Sequence, residues 1–157
     1  MNYRAYNPKD FDQLYAIEEL CFAPPSRFGR RYMRVLVSRA NAATWIAEED
    51  GQLRGFAIVE WAERKQRITA YIQTIEVVPE ARGRGVGREL LERIERSARV
   101  AGANLIWLHV ETANAGAIHL YEAQSYRCEG RRENYYPEGR TALVYVKPMG
   151  KNDGLPA

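Results

Sequence analysis

Apolar and polar residues alternate through the middle of the chain, a pattern typical of β-strands with one buried face. Residues 44–48 and 53–61 read as two strands joined by a hairpin turn at Asp50-Gly51. A charged turn at residues 63–65 leads into a third apolar, β-branched run over residues 67–78. The pattern therefore predicts three consecutive strands in a meander.

The spacing of apolar residues then changes from every second residue to every third or fourth residue. This spacing predicts an amphipathic helix over residues 84–101. Its apolar face has to lie on the sheet, and Gly102 follows where a helix commonly ends. Its charged side chains, spaced as i,i+4 pairs, predict a solvated face. The apolar face comprises Leu90, Leu91, Ile94, Ala98 and Ala101, and the pairs are Glu89–Arg93, Glu92–Arg96 and Glu95–Arg99.

The region before the meander predicts a short edge strand over residues 2–6 and two helices. Asp10 is the expected N-cap of the first helix, and Ser26, after Pro24-Pro25, is the expected cap of a second helix that runs to Arg39. The predicted buried face of the first helix consists of Phe11, Leu14, Ile17, Leu20 and Cys21.

After the long helix, residues 105–111 alternate again and predict a strand parallel to the one over residues 67–78. Ligands bind beyond the carboxyl ends of such strands, where His109 and Glu111 are expected. Asn114 is the expected cap of a short helix that extends to Gln124. Residues 126–135 and 140–146 predict a closing hairpin, and residues 148–157 predict a disordered tail.

Composition narrows the class of protein. The chain has 157 residues, a hydrophobic content of 46% and a net charge of +3, which fit one soluble domain and give no reason to expect a nucleic acid partner. No apolar run reaches the ~20 residues of a membrane span, and no secretory leader is evident. Cys21 and Cys128 have no metal-ligand spacing, so we expect reduced thiols, no metal and a cytoplasmic location.

The glycine-rich stretch at residues 82–87, Arg-Gly-Arg-Gly-Val-Gly, lies between the strand and the long helix. Backbone N–H groups at a helix N-terminus bind phosphate well, and glycines leave them accessible. The spacing fits neither a dinucleotide fingerprint nor a P-loop. A plain glycine turn is the alternative, but Arg82, Arg84 and Arg88 would repel one another without an anion, which favours a phosphate ligand.

Three motifs carry a family resemblance: Arg82-x-x-Gly85-x-Gly87, residues 114–122 (Asn-Ala-Gly-Ala-Ile-His-Leu-Tyr-Glu) and residues 132–137 (Arg-Glu-Asn-Tyr-Tyr-Pro). In this order the chain resembles the GNAT N-acetyltransferases, and in particular the ribosomal-protein N-terminal alanine acetyltransferases. The resemblance implies an α+β fold over residues 1–147, with a mixed, mostly antiparallel sheet splayed between two parallel strands and helices on both faces. It also implies acetyl-CoA as co-substrate.

The resemblance assigns roles to individual positions. Tyr121 matches the general acid that protonates the CoA sulfur, although a core aromatic is the alternative. Tyr135 and Tyr136 match tyrosines that line a peptide groove, although they could equally be ordinary hairpin aromatics. The positions matching cofactor-binding residues are Ile75, Glu76, Val77, Arg82, Gly83, Arg84, Gly85, Val86, Gly87, Arg88, Asn114 and Tyr121.

The general base remains open between His109, Glu111 and a water relay. The family's glutamate position is occupied here by His109, whose reference pKa of ~6.5 suits a base, although a structural histidine is an equal alternative. A weak base favours an α-amine (pKa ~7.7–8.0) over lysine (~10.4) as acceptor. A protein or peptide N-terminus is therefore the expected acceptor. A small amine and a non-catalytic acetyl-CoA-binding module are the alternatives.

Overall fold

The computed structural model describes residues 1–150 as one mixed α/β unit. Seven strands form one sheet in the order β1-β2-β3-β4-β5-β7-β6. In chain order the elements are β1 (Asn2–Ala5), α1 (Phe11–Cys21), α2 (Arg30–Ser38), β2 (Ala42–Glu49), β3 (Gln52–Arg64), β4 (Arg67–Val77), α3 (Val86–Val100), β5 (Leu105–Glu111), α4 (Ala115–Ala123), β6 (Arg127–Tyr136) and β7 (Arg140–Pro148).

The sheet is antiparallel except between β4 and β5, which confirms the predicted meander and the parallel pair. Both Asp50 and Gly51 have positive φ angles, as the short turn between β2 and β3 requires. Residues 55–59 of β3 are all buried although successive side chains point to opposite faces, so helices cover both faces of the sheet.

The strands β4 and β5 pair over three residues only and then separate. The paired residues are Thr69 to Tyr71 on β4 and Leu105 to Trp107 on β5. Beyond them β4 continues to Val77 and β5 to Glu111 without hydrogen bonds between the two strands. Beyond Tyr71 this edge of β4 therefore has backbone groups without a strand partner that a ligand could bind, although the carbonyl of Val77 accepts a bond from Arg82.

The helix α3 packs its predicted apolar face against the sheet, and Leu90, Leu91 and Ile94 are fully buried. The charged residues of α3 differ in exposure, however. Glu89 pairs with Arg93 as expected, but Glu95 is only 3% exposed and was wrongly assigned to the solvated face. Its carboxylate accepts hydrogen bonds from the Tyr126 hydroxyl and the Lys147 ammonium, at 2.7 and 3.0 Å.

Two predictions about the N-terminal helices were wrong, and a third was right in position only. Leu20 is 59% exposed instead of buried, because it lies off the face of α1 that contacts the sheet. Ser26 does not cap α2, which begins at Arg30 after the N-cap residue Gly29. Asp10 stands at the N-cap of α1 but makes no capping bond there, because its carboxylate accepts bonds from Arg4 and from an upstream backbone N–H.

The folded part extends slightly further than predicted. Pro148 is the last residue of β7, and the side chain of Met149 is buried, with its backbone N–H donating to the carbonyl of Asn104. The remainder of the predicted tail, residues 151–157, lies outside the described residues.

Candidate active site at the strand splay

The glycine loop joins β4 to α3 through a short turn at Pro79–Ala81. Gly83 and Gly85 have φ angles of 75° and 81°, a left-handed conformation that glycine adopts without strain. The first bond within α3 runs from the N–H of Glu89 to the carbonyl of Gly85. The N–H groups of the preceding helical residues, 86–88, therefore have no helical acceptor and are available to an anion.

The arginines of this loop are not arranged as the sequence suggested. Arg84 forms an ion pair with Glu49, with its guanidinium nitrogens 2.8 and 3.2 Å from the carboxylate oxygens. Nε of Arg82 donates to the carbonyl oxygen of Val77. Mutual repulsion of three unpaired arginines is consequently no argument for a bound anion. The prediction of a phosphate site therefore depends on the backbone conformation of the loop.

A cleft of about 650 Å³ extends from the glycine loop into the splay between β4 and β5. Its wall combines the end of β4, the loop, the start of α3, one side of α4 and the C-terminal end of α1. All the predicted cofactor-binding residues line it except Arg84, whose side chain is engaged by Glu49. The lining includes Ile75, Glu76, Val77, Arg82, Gly83, Gly85, Val86, Gly87, Arg88, Asn114 and Tyr121.

Asn114 and Tyr121 belong to the same short helix at the edge of this cleft. The Asn114 side-chain oxygen accepts a bond from the N–H of Ala117 at 3.1 Å, which confirms the predicted cap of α4. Tyr121 is only 6% exposed and lines the cleft. Burial, reinforced by the neighbouring Tyr136 hydroxyl, raises its pKa, so the phenol keeps its proton at physiological pH.

A second cavity, of about 560 Å³, lies between α2, the splayed strands and the hairpin of β6 and β7. We call it the aromatic pocket. His109, Tyr135 and Tyr136, which the sequence placed in the acceptor site, all line it. Its other lining residues are Phe28, Tyr32, Glu60, Tyr71, Gln73 and Trp107.

His109 is fixed on two sides within this pocket. Its Nδ1 atom lies 2.8 Å from the hydroxyl oxygen of Tyr71, and its ring stacks on that of Tyr135 with centroids 4.2 Å apart. Its Nε2 atom is buried and has no partner among residues 1–150. Burial, and then the positive charge of Arg132, lower the pKa of His109, so the imidazole is neutral at physiological pH.

Glu111, the rival candidate for the base, is engaged elsewhere. One carboxylate oxygen accepts a hydrogen bond at 2.9 Å from Arg140, whose guanidinium also donates to the hydroxyl of Ser26. Arg140 thus links the end of β5 to the segment between α1 and α2. Glu111 does not line the aromatic pocket, whereas His109 does, so the geometry favours His109 as the candidate base.

Two features of the site were missed from the sequence. Tyr71 was assigned only to a strand, and nothing in its local pattern reveals its contact with His109. Glu76 was chosen for its backbone, yet its side chain is 97% buried and lies beside the buried Glu18 of α1. A carboxylate within an apolar strand and another on the buried face of a helix were the available signals.

The family model described as "Acetyltransferase (GNAT) family" matches residues 11–126. Streptothricin acetyltransferase of Streptomyces lavendulae is 39% identical over 114 residues, which cover 69% of this chain but only 59% of that enzyme. The [ribosomal protein bS18]-alanine N-acetyltransferase of Salmonella typhimurium is 35% identical over 147 residues, covering 89% of this chain and 92% of the relative.

Solved structures agree in fold over nearly the whole chain. The crystal structure of the ribosomal-protein-S18-alanine N-acetyltransferase from Escherichia coli superposes with a TM-score of 0.81 and 25% identity, covering 97% of both chains. Naa50 of Arabidopsis thaliana, solved with the bisubstrate analogue CoA-Ac-MVNAL, gives 0.81 at 24% identity, covering 94% of this chain and 98% of that one. The chain belongs to the acetyltransferase (GNAT) family and is an acetyl-CoA-dependent N-acetyltransferase.

Proposed function

We propose that this enzyme acetylates the N-terminal α-amine of a protein or peptide by direct attack in a ternary complex. Acetyl-CoA lies in the cleft with its pyrophosphate on the N–H groups of residues 83–88, and the acceptor enters through the aromatic pocket. The single observation that carries the proposal is the contact between Nδ1 of His109 and the Tyr71 hydroxyl, which both line the aromatic pocket.

The weak basicity of His109 supports an α-amine over a lysine side chain as the acceptor. Removing the proton from an α-ammonium at pH 7 costs about 1 kcal/mol, whereas a lysine ammonium costs roughly 4.6 kcal/mol. A histidine with a lowered pKa supplies little driving force for proton transfer. The α-amine is therefore the acceptor that this site can use at neutral pH.

The site has a backbone or side-chain group for each chemical step. The free N–H groups of β4 between residues 75 and 77 polarise the thioester carbonyl, and the amine nitrogen attacks its carbon. As the C–N bond forms, a proton leaves the nitrogen for the Tyr71 oxygen while the Tyr71 hydroxyl passes its own to Nδ1 of His109. As the C–S bond breaks, Tyr121 protonates the departing thiolate, and the proton taken up by His109 returns through solvent to the Tyr121 oxygen.

The acceptor enters between α2 and the hairpin of β6 and β7, where Tyr135 and Tyr136 form one wall. A peptide chain suits an open, aromatic-lined groove with few charged groups. The relatives of the bS18-alanine class, matched over 92% of their length, support a protein substrate. The free thiols Cys21 and Cys128 are consistent with the cytoplasm as the place of action.

A small-molecule amine is the second candidate acceptor, because the relative with 39% identity is a streptothricin acetyltransferase. The two are separated by incubating the enzyme and acetyl-CoA with N-terminal peptides, the same peptides blocked at the α-amine, polyamines, amino acids and streptothricin. Acetylation of the free peptides and not of the blocked ones supports the proposal. Exclusive acetylation of small amines would replace it with the second candidate.

A further inference from the structure

A further cavity, of about 290 Å³, adjoins the aromatic pocket on the side of the turn between β3 and β4. Glu60, Tyr71 and Trp107 line both cavities. The remaining lining residues of the further cavity are Trp61, Ala62, Arg64 and Thr69. Because the two cavities share three side chains, they are consecutive parts of one groove, which begins at the contact of Tyr71 with His109. We call it the acceptor groove.

The acceptor groove ends at two arginines. Arg64 of β3 and Arg67 of β4 are direct cross-strand partners on either side of the turn at residues 65–66. Side chains alternate between the two faces of a sheet, so both arginines point to the same face as Tyr71. Like charges directly opposite each other are destabilising, and neither arginine forms an ion pair with a carboxylate of residues 1–150. An anionic ligand would relieve this repulsion.

The carboxylate of Glu60, in the middle of the groove, does not oppose such a ligand. It accepts hydrogen bonds from the guanidinium of Arg39 and from the side-chain amide of Gln73, the latter at 3.2 Å. Glu60 and Arg64 are four residues apart on β3, which is about 13 Å along an extended strand. Glu63 precedes Arg64 directly, so its side chain points to the other face of the sheet. The far end of the groove is therefore positively charged.

We propose that the acceptor chain runs along this groove and that Arg64 and Arg67 bind an acidic side chain a few residues after its N-terminus. This inference rests on the function proposed above and names the class of acceptor. With the α-amine at the Tyr71 hydroxyl, an extended chain rising roughly 3.3 Å per residue reaches the arginines with its third to fifth residue. The rings of Tyr71 and Trp107, with centroids 4.6 Å apart, form an apolar floor for the residues between.

The arginine pair recognises an acidic side chain by geometry as well as by charge. A guanidinium donates two parallel N–H···O bonds to a carboxylate, whereas the side-chain amide of asparagine or glutamine offers only one acceptor oxygen. Both arginines occupy exposed positions, so water and salt weaken each contact. Two exposed ion pairs of this kind should raise the affinity about fivefold.

The kinetic test uses short peptides with one glutamate at a position from two to six, each with a twin that has glutamine there. At one of positions three to five, the wild type should show a kcat/KM about fivefold higher for the glutamate peptide, mainly through a lower KM. Arg64→Gln/Arg67→Gln should abolish this preference.

Arg127→Gln/Arg131→Gln is the charge-matched control, because both arginines are exposed on β6 and line neither cavity. It should retain the preference for glutamate. No preference at positions three to five, or a preference that persists in Arg64→Gln/Arg67→Gln or vanishes in the control, overturns the proposal.

A second measurement needs no turnover. The same peptides, already acetylated at the N-terminus, are titrated into the enzyme with coenzyme A, and the indole N–H signal of Trp107 is followed by NMR. Binding should shift this signal, with a Kd about fivefold lower for the glutamate peptide than for its twin. Equal Kd values, or an indole signal that does not respond, overturn the proposal. If the wild type acetylates no peptide, the proposed function fails, while this titration still decides whether the groove binds an acidic chain.

Discussion

The hydroxyl oxygen of Tyr71 lies 2.8 Å from Nδ1 of His109, and this contact joins β4 to β5 just where the two strands stop pairing. Tyr71 pairs with Trp107 at the last rung of the parallel ladder, and His109 lies two residues further along β5. The strand separation thus leaves room for substrates, while the side-chain contact keeps the two edges in a fixed relation. Burial raises the pKa of Tyr71, so its hydroxyl retains the proton that it relays.

The relay predicts non-additive kinetics. Tyr71→Phe and His109→Ala should each lower kcat by about a hundredfold, since positioned proton transfer contributes at least that much. The double variant should be no slower than the slower single variant, because either change breaks the same path. Steady-state kinetics with one peptide decide this, with Tyr6→Phe, outside both cavities, as control. Multiplicative losses would mean that the two residues act separately.

The pH at which kcat falls on the acidic side of its pH profile should depend on Arg132. Its positive charge helps to lower the pKa of His109, so Arg132→Gln should raise that pKa. His109 would then become protonated at a higher pH, and the acidic limb of kcat should move towards neutrality. The exposed Arg131, which pairs with Glu133, provides the matched control Arg131→Gln. A limb that stays in place in Arg132→Gln would exclude His109 as the titrating base.

Removing the Tyr121 hydroxyl should affect chemistry more than cofactor binding. Tyr121→Phe should lower kcat by about a hundredfold or more, because the thiolate then leaves without a proton donor. The affinity for acetyl-CoA, measured by calorimetry, should change little because the ring still packs against Tyr126. Unchanged turnover would remove Tyr121 from the mechanism.

Substitution of a glycine in the glycine loop should selectively lower the affinity for acetyl-CoA. Gly85→Ala should cost roughly 1–2 kcal/mol, because an L side chain at a φ of 81° is strained. Relaxation of this strain moves the N–H groups at the start of α3, so the Kd for acetyl-CoA should rise about tenfold. Gly29→Ala is the control, since Gly29 has a φ of −68° and open space around its α-carbon. Equal Kd values in the two variants would argue against a phosphate site on this loop.

Because Glu95 is buried, the stability of the fold should be unusually sensitive to substitution of Lys147. Lys147→Ala leaves the Glu95 carboxylate in the core with only the Tyr126 hydroxyl as partner, and should destabilise the fold by about 3–5 kcal/mol. Arg131→Ala breaks an ion pair whose side chains are 58% and 66% exposed, and should cost less than about 1 kcal/mol. Urea unfolding measures both, and similar midpoints would mean that the Glu95 network contributes little.

Two findings show why local patterns failed at particular residues. Glu95 fits an i,i+4 pair with Arg99 on the helix, but its partners are Tyr126, just before β6, and Lys147 of β7, both distant in the chain. Ser26 has the residue type of a helix cap, yet its hydroxyl is bonded by Arg140. In both cases a long-range partner outweighed a local one, and single-sequence periodicity contains no information about such partners.

The sequence by itself determined the strands, the helices, the parallel pair and the glycine loop, because these depend on periodicity and on backbone conformations that glycine favours. Only the tertiary structure decided which side chains meet across the splay. The contact of Tyr71 with His109, the pairing of Glu111 with Arg140 and the carboxyl pair of Glu18 and Glu76 each join two elements far apart in the chain. Proton transfer depends on distances of about 3 Å, and folding alone sets those distances.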